Sequence, residues 1–145
     1  MEVLTDAAWT MTYLSRQDIT IEAVVETEVV PSLIHYLDTS HLSLLIPCLR
    51  TIGNIVTSNE AHTAVVLREP NFLQKFYKLL GHKKKTIRKE ACWVLSNITA
   101  GNEHQVEAIM GDSDFAKAMI EIAEKDIPEV QREAAWALSN ATKNC

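Results

Sequence analysis

An all-α solenoid of short helical repeats is the fold class predicted by this 145-residue sequence. Three observations predict it. Similar segments recur at intervals of 41 to 43 residues, the signature of a repeat array. Apolar residues fall three and four apart, as in Leu33, Ile34, Leu37 and in Ala91, Val94, Leu95, Ile98, which is helical periodicity. Glycine and proline number only four each, roughly half the usual share, too few for a sandwich or barrel of short strands.

The recurrence runs through the whole chain. DAAWTMTYL from Asp6, PCLRTIGNIVT from Pro47, EACWVLSNIT from Glu90 and EAAWALSNAT from Glu133 align. Trp9, Arg50, Trp93 and Trp136 then share one column, and Tyr13, Asn54, Asn97 and Asn140 a second column four residues later. Leu33, Phe76 and Met119 stand 17 residues before the later members of the first column, and Leu37, Leu80 and Ala123 stand 13 before. The apolar pairs Val24-Val25, Val65-Val66 and Ile109-Met110 lie further upstream.

Each unit therefore reads as a short first helix, a second helix of about ten residues and a longer third helix ending at the Asn. A period of this length with three helices is the armadillo type; two longer helices would be a HEAT array. The chain divides into 1–16, the third helix of an incomplete repeat, and three repeats at 17–58, 59–101 and 102–145. The expected whole is a right-handed superhelix, a piece of a longer array. Third helices are expected to start near Ser43, Thr86 and Pro128, the proline suiting a first turn. Gly81, Gly101 and Gly111 are the expected breaks. Pro47 falls inside or near the start of its third helix, where an internal position would kink it.

Composition removes other classes. Hydrophobic residues at 47 % and charged residues at 23 % argue against disorder, and the longest apolar run is far short of a membrane span. No targeting segment follows Met1-Glu2, so a soluble intracellular protein is expected, with no membrane partner. The net charge of −5 favours cationic partners over nucleic acid. Cys48, Cys92 and Cys145 lack metal spacing and read as two core residues and a loose terminal thiol. The five histidines have no HExxH spacing, and no phosphate loop or GxSxG elbow occurs. No catalytic, cofactor or metal residue is nominated, and the chain is not expected to be an enzyme. HKKKTIRK from His82 reads as a solvated loop entering a third helix; a nuclear localisation signal, a nucleic-acid patch or a self-inhibitory segment are weaker readings. Asn97-Ile-Thr99 and Asn140-Ala-Thr142 match the glycosylation pattern but fall on helices.

The repeated third-helix face calls for a function. Glu90, Trp93 and Asn97 stand at i, i+3 and i+7 and share a face, as do Glu133, Trp136 and Asn140. Asp6, Trp9 and Tyr13 match them, and Pro47, Arg50 and Asn54 match with Arg for Trp. A lone Trp is usually packing, and an Asn one turn later is usually a cap or an inter-helix hydrogen bond. Repetition turns the columns into a ladder with rungs roughly 8–10 Å apart, two or three residues of an extended peptide. Asn amides can grip a peptide main chain, indoles can flank aliphatic stems under a cation, and Glu90 and Glu133 can meet the charged ends. The ligand expected is an extended Lys/Arg-rich peptide.

The segments ACWVLSNITAGN from Ala91, EAAWALSNAT from Glu133 and LRTIGNIVT from Leu49 resemble importin-α, the nuclear-import adaptor family, over nearly the whole chain. The resemblance implies a concave Trp/Asn groove for nuclear localisation signals, in the register of the fifth to eighth repeats. Trp93, Asn97, Glu133, Trp136 and Asn140 then match the minor-site pockets, and Arg50 matches the cation that separates the two sites. Asn54 matches a main-chain clamp, Val56 and Thr57 match carbonyls offered to a basic side chain, and Ser96 matches a polar neighbour. Trp9 and Asp6 match only the outer edge of the major site, and Tyr13 matches the repeat just before that of Arg50. The implied partners are basic import signals and, further off, an export receptor or nucleoporin. The resemblance implies that importin-β would be bound only through a segment outside these 145 residues. The implied location is cytoplasm and nucleus. The sequence departs from the family in lacking Gly between first and second helices at Thr27-Glu28 and near Glu69-Pro70. The other reading is an armadillo scaffold for a different partner.

Overall fold

A computed structural model describes residues 1–144; the loose thiol expected at Cys145 lies outside them. The fold is all-α and armadillo-like, 80 % helical, with no strand among the described residues. It forms two compact units, Met1–Phe72 and Leu73 onward.

The first unit holds α1 (Glu2–Leu14), α2 (Asp18–Glu26), α3 (Val30–His35) with a 3₁₀ turn at Tyr36–Asp38, and α4 (Leu42–Val56), then α5 (Glu60–Leu67). Its core is Ile21, Val24, Leu33, Leu37, Leu44, Leu45, Ile52 and Ile55, all buried. These are the residues spaced three and four apart, so helix formation and core burial follow from one pattern. Pro47 stands inside α4 and is buried, yet α4 runs unbroken. The Thr12 and Thr51 hydroxyls both donate to the Pro47 carbonyl, at 3.0 and 2.8 Å.

The second unit holds α6 (Phe72–Leu80), which begins at the boundary, then α7 (Lys85–Thr99), α8 (Glu103–Met110), α9 (Ser113–Lys125) and α10 (Pro128–Lys143). Phe76, Ile87, Leu95, Ile98, Ile109, Phe115 and Met119 are its buried apolar centre. Cys92 is buried here as Cys48 is in the first unit. Burial pushes the Cys48 thiol up to about 11 and the Cys92 thiol up to about 12, so both behave as small core hydrophobes.

Helix boundaries refine the sequence reading. The third helices do not end at the Asn: α4 and α7 run two residues past Asn54 and Asn97, and α10 three past Asn140. No breaker stands at those positions, so the backbone ladder continues. Ser43 and Thr86 lie one residue inside their helices, and Pro128 opens α10. The first helices α5 and α8 start on matched caps: Asn59 Oδ1 accepts from the His62 N–H at 2.8 Å and Asn102 Oδ1 from the Gln105 N–H at 3.1 Å, each satisfying a donor the helix leaves open. Where Gly was missing between first and second helices, Glu28 and Asn71 adopt positive φ of 56° and 68°. Gly111, by contrast, has a φ of −66°.

Candidate functional site

Within each unit two third helices lie side by side: α1 against α4, and α7 against α10. The joint between them is polar. In the first unit the Asn54 amide donates to the Thr12 carbonyl at 3.3 Å and to the Ser15 hydroxyl at 3.0 Å, and the Thr12 and Thr51 hydroxyls meet at 2.9 Å. In the second unit the Asn140 amide donates to the Ser96 carbonyl at 3.0 Å. There Thr99 Oγ1 donates to the Ala137 carbonyl at 2.9 Å and Asn144 to the Thr99 carbonyl at 3.3 Å. Thr12 and Ser96 occupy the same repeat position, three residues after Trp9 and Trp93. The Asn of one third helix thus ties down a carbonyl of the preceding one in both units.

This joint takes in residues that the sequence reading placed in the site. Ser96 is buried, and its hydroxyl donates to the Trp93 carbonyl at 2.8 Å, so it holds the face in place rather than lining its surface. Asn140 is also buried, with one amide hydrogen bonded across the joint. Asn97 is half-buried and donates to the Trp93 carbonyl of its own helix at 3.0 Å. That bond orients the side chain and leaves its carbonyl oxygen open. The Val56 side chain is buried, and its carbonyl accepts from Thr63 Oγ1 at 3.3 Å. Thr57 is exposed beyond the end of α4 and donates to the Asn54 carbonyl at 2.7 Å.

The larger side chains stand nearer to solvent. Trp136 is 57 % exposed, and the Lys143 ammonium lies 5.4 Å from its ring centroid, within cation–π range. Trp93, Glu90 and Glu133 are half-buried. So α7 and α10 bring together the acid, indole and amide columns on packed neighbours. In the first unit Trp9 is half-buried and Tyr13 exposed, their rings 6.1 Å apart at 32°. Arg50 and Asp6 are exposed in the same unit. Sequence reasoning missed Lys143 over Trp136 and the hydroxyls of Thr12, Thr51 and Thr99 in the joints. The signal for the hydroxyls was polar residues on otherwise apolar third-helix faces.

The basic run at 82–89 is folded, not extended. It forms the turn before α7 and that helix's first turn. Arg88 is held by Asp126 through two bonds, Nε to Oδ2 at 2.6 Å and Nη2 to Oδ1 at 2.8 Å, and its Nη1 donates to the His82 and Lys83 carbonyls at 2.8 and 3.3 Å. The hydrogen bond from Arg88 holds the Asp126 carboxyl below the usual carboxylate range, and the same bond raises the guanidinium.

Comparison with known proteins agrees with the fold. The family model for the Armadillo/beta-catenin-like repeat matches residues 60–100. The chain is 50 % identical over 93 residues to importin subunit alpha-3 of Arabidopsis thaliana, covering 63 % of this chain and 18 % of that protein. It is 44 % identical over 96 residues to importin subunit alpha-1a of Oryza sativa subsp. japonica, covering 66 % and 18 %. It thus matches under a fifth of the length of these curated relatives. A designed armadillo repeat protein solved in complex with the peptide (KR)4 superposes with a TM-score of 0.88 at 24 % identity, over 96 % of this chain and 58 % of that one. The chain has the armadillo-repeat fold, and its repeats are similar to those of importin-α proteins.

Proposed function

We propose that the α7–α10 face binds extended Lys/Arg-rich segments of the kind that serve as nuclear localisation signals, and that the chain acts as a non-enzymatic binding module of a nuclear-import adaptor moving between cytoplasm and nucleus. The single observation that supports this most is Trp136, an indole more than half exposed that already stacks under a lysine ammonium. A second indole, Trp93, stands on the packed neighbour helix, with Glu90 and Glu133 on the same two helices to meet cationic ends. Asn97 offers an open carbonyl oxygen to a peptide N–H. The repeats at 17–58, 59–101 and 102–145 are the units of this module. Trp9 and Tyr13 form a lesser site, because their neighbour in the ladder is the fixed cation Arg50.

Calorimetric titration of a short monopartite basic peptide tests the reading. Trp136→Ala should weaken binding roughly thirtyfold, the loss of about 2 kcal/mol typical of an aromatic anchor. Asn97→Ala should weaken it strongly and Trp9→Ala little. Affinity should fall steeply with salt, since the charges are near solvent. If Trp9→Ala proves the most damaging, the assignment to α7 and α10 is wrong. If no basic peptide binds, the chain is an armadillo scaffold for a different partner.

A further inference from the structure

The cations of this acidic chain are unevenly placed. Seven of its 14 Lys and Arg fall between Lys75 and Lys89, and no Asp or Glu occurs between Glu69 and Glu90. Elsewhere lysines sit beside acids: Lys117 Nζ is 3.5 Å from Asp114, and Lys125 Nζ is 3.0 Å from Glu121. Lys85 lies at a looser 3.7 Å from Glu129. Lys83, Lys84 and Lys89 are exposed and make no ion pair with any described residue. In a chain with 19 acids to 14 bases, chance pairing would favour the opposite.

The local placement is also unfavourable for the fold itself. Lys84 caps α7, Lys85 opens it, and its first turn holds no acid. A helix N-terminus carries about half a positive charge, so lysines there repel it, where acids would stabilise it. The turn is nevertheless rigid, because Arg88 ties the His82 and Lys83 carbonyls to Asp126 and the Lys84 N–H donates to His82 Nδ1 at 3.0 Å. Local rules broken in a well-ordered place mark a functional surface.

We infer that the turn displaying Lys83, Lys84 and Lys89 is a second docking surface, which takes a short acidic segment of a partner protein. Lys85 to Lys89 spans about 6 Å of helix, and with the preceding turn the patch covers three or four residues of an extended peptide. The remainder of the chain is strongly acidic, so a long polyanion would be repelled beyond this island, whereas a short run of Asp or Glu fits within it. This surface takes the opposite charge from the Trp/Asn face and does not depend on that assignment.

The test is fluorescence anisotropy of a labelled peptide of about four glutamates, the length that fits the patch, with the full chain. The triple variant Lys83→Ala/Lys84→Ala/Lys89→Ala should bind about tenfold more weakly, three exposed contacts together, with an unchanged circular-dichroism spectrum. The control Lys117→Ala/Lys125→Ala and the groove variant Trp136→Ala should bind like the wild type. Equal binding by the triple variant and the wild type would overturn the proposal. So would tighter binding of a single-stranded DNA octamer or of phosphatidylserine vesicles than of the peptide, which would assign the patch to another class of partner. Should the triple variant misfold, Lys83→Gln/Lys84→Gln must show about a fivefold loss, two of the three contacts, and its absence there would be equally decisive.

Discussion

Asn140 donates its side-chain amide to the backbone carbonyl of Ser96 at 3.0 Å, and Asn54 repeats the contact on the Thr12 carbonyl at 3.3 Å. With the Thr12, Thr51 and Thr99 hydroxyls, these bonds tie two third helices together in each unit, and with that set how their neighbouring side chains are presented. The column of asparagines has two jobs in this fold. Asn54 and Asn140 hold helices together, whereas Asn97 bonds only within its own helix and, on the function proposed, meets the peptide.

Replacing Asn140 should therefore cost stability as well as binding. Asn140→Ala leaves one bond of a buried joint unmade, a loss of about 1–2 kcal/mol. Asn97→Ala should lose less than about 0.5 kcal/mol, because only an intrahelical bond to a carbonyl already in the ladder is removed. Urea denaturation of both variants separates the two roles: equal destabilisation would contradict the division.

The turns between first and second helices should be improvable. Glu28 holds a positive φ of 56° without glycine, a conformation that costs an L-residue with a Cβ about 1 kcal/mol. Glu28→Gly should raise stability by about 0.5 kcal/mol once the greater freedom of the unfolded glycine is counted. Asn71→Gly should change it less, since Asn tolerates the left-handed region. Gly111→Ala should destabilise, because its Cβ would stand 2.6 Å from the Glu107 carbonyl oxygen. The order of urea midpoints across the three variants checks this.

Acid should weaken the second unit through one pair. Asp126 is titrated below its ordinary range because Arg88 bonds its charged form. A carboxyl with a depressed folded value stabilises fully above its unfolded value near about 3.9, and that stability is lost as pH falls through the folded value. Asp126→Asn should cost about 2 kcal/mol at neutral pH, the scale of a charged hydrogen-bonded pair. The gap from wild type should shrink as pH drops below about 4. A gap that stayed constant between neutral and strongly acid pH would show that the carboxylate charge is not what matters.

Lys143 should act as a weak internal competitor at Trp136. Its ammonium lies 5.4 Å from the ring, and an exposed cation–π contact is worth about 0.5–1 kcal/mol. Lys143→Ala should tighten a basic peptide about threefold, while Lys143→Arg, which keeps a cation over the indole, should bind like the wild type. Calorimetry on the two variants decides it, and equal affinities would show that the contact is irrelevant to binding.

The sequence alone was enough for the armadillo class, because repetition at 41 to 43 residues and three-and-four apolar spacing are properties of the chain itself. The same arithmetic set Trp93, Asn97, Trp136 and Asn140 into columns, since a helix puts i and i+4 on one face. What it could not divide was the duty of identical letters. Asn140 and Asn97 have nearly the same neighbours in sequence, LSNAT and LSNIT, yet one bonds across to another helix and the other to its own. Likewise Ser96, expected as a polar neighbour in the groove, is buried, because α10 packs over it. The positive φ at Glu28 and Asn71 and the hold of Asp126 on Arg88, 38 residues away, were also invisible along the chain. Helical periodicity is a local property of neighbouring residues. Which polar atom is buried, and which carbonyl lies within reach of an amide, depends on how two helices pack, and only the tertiary structure decides that.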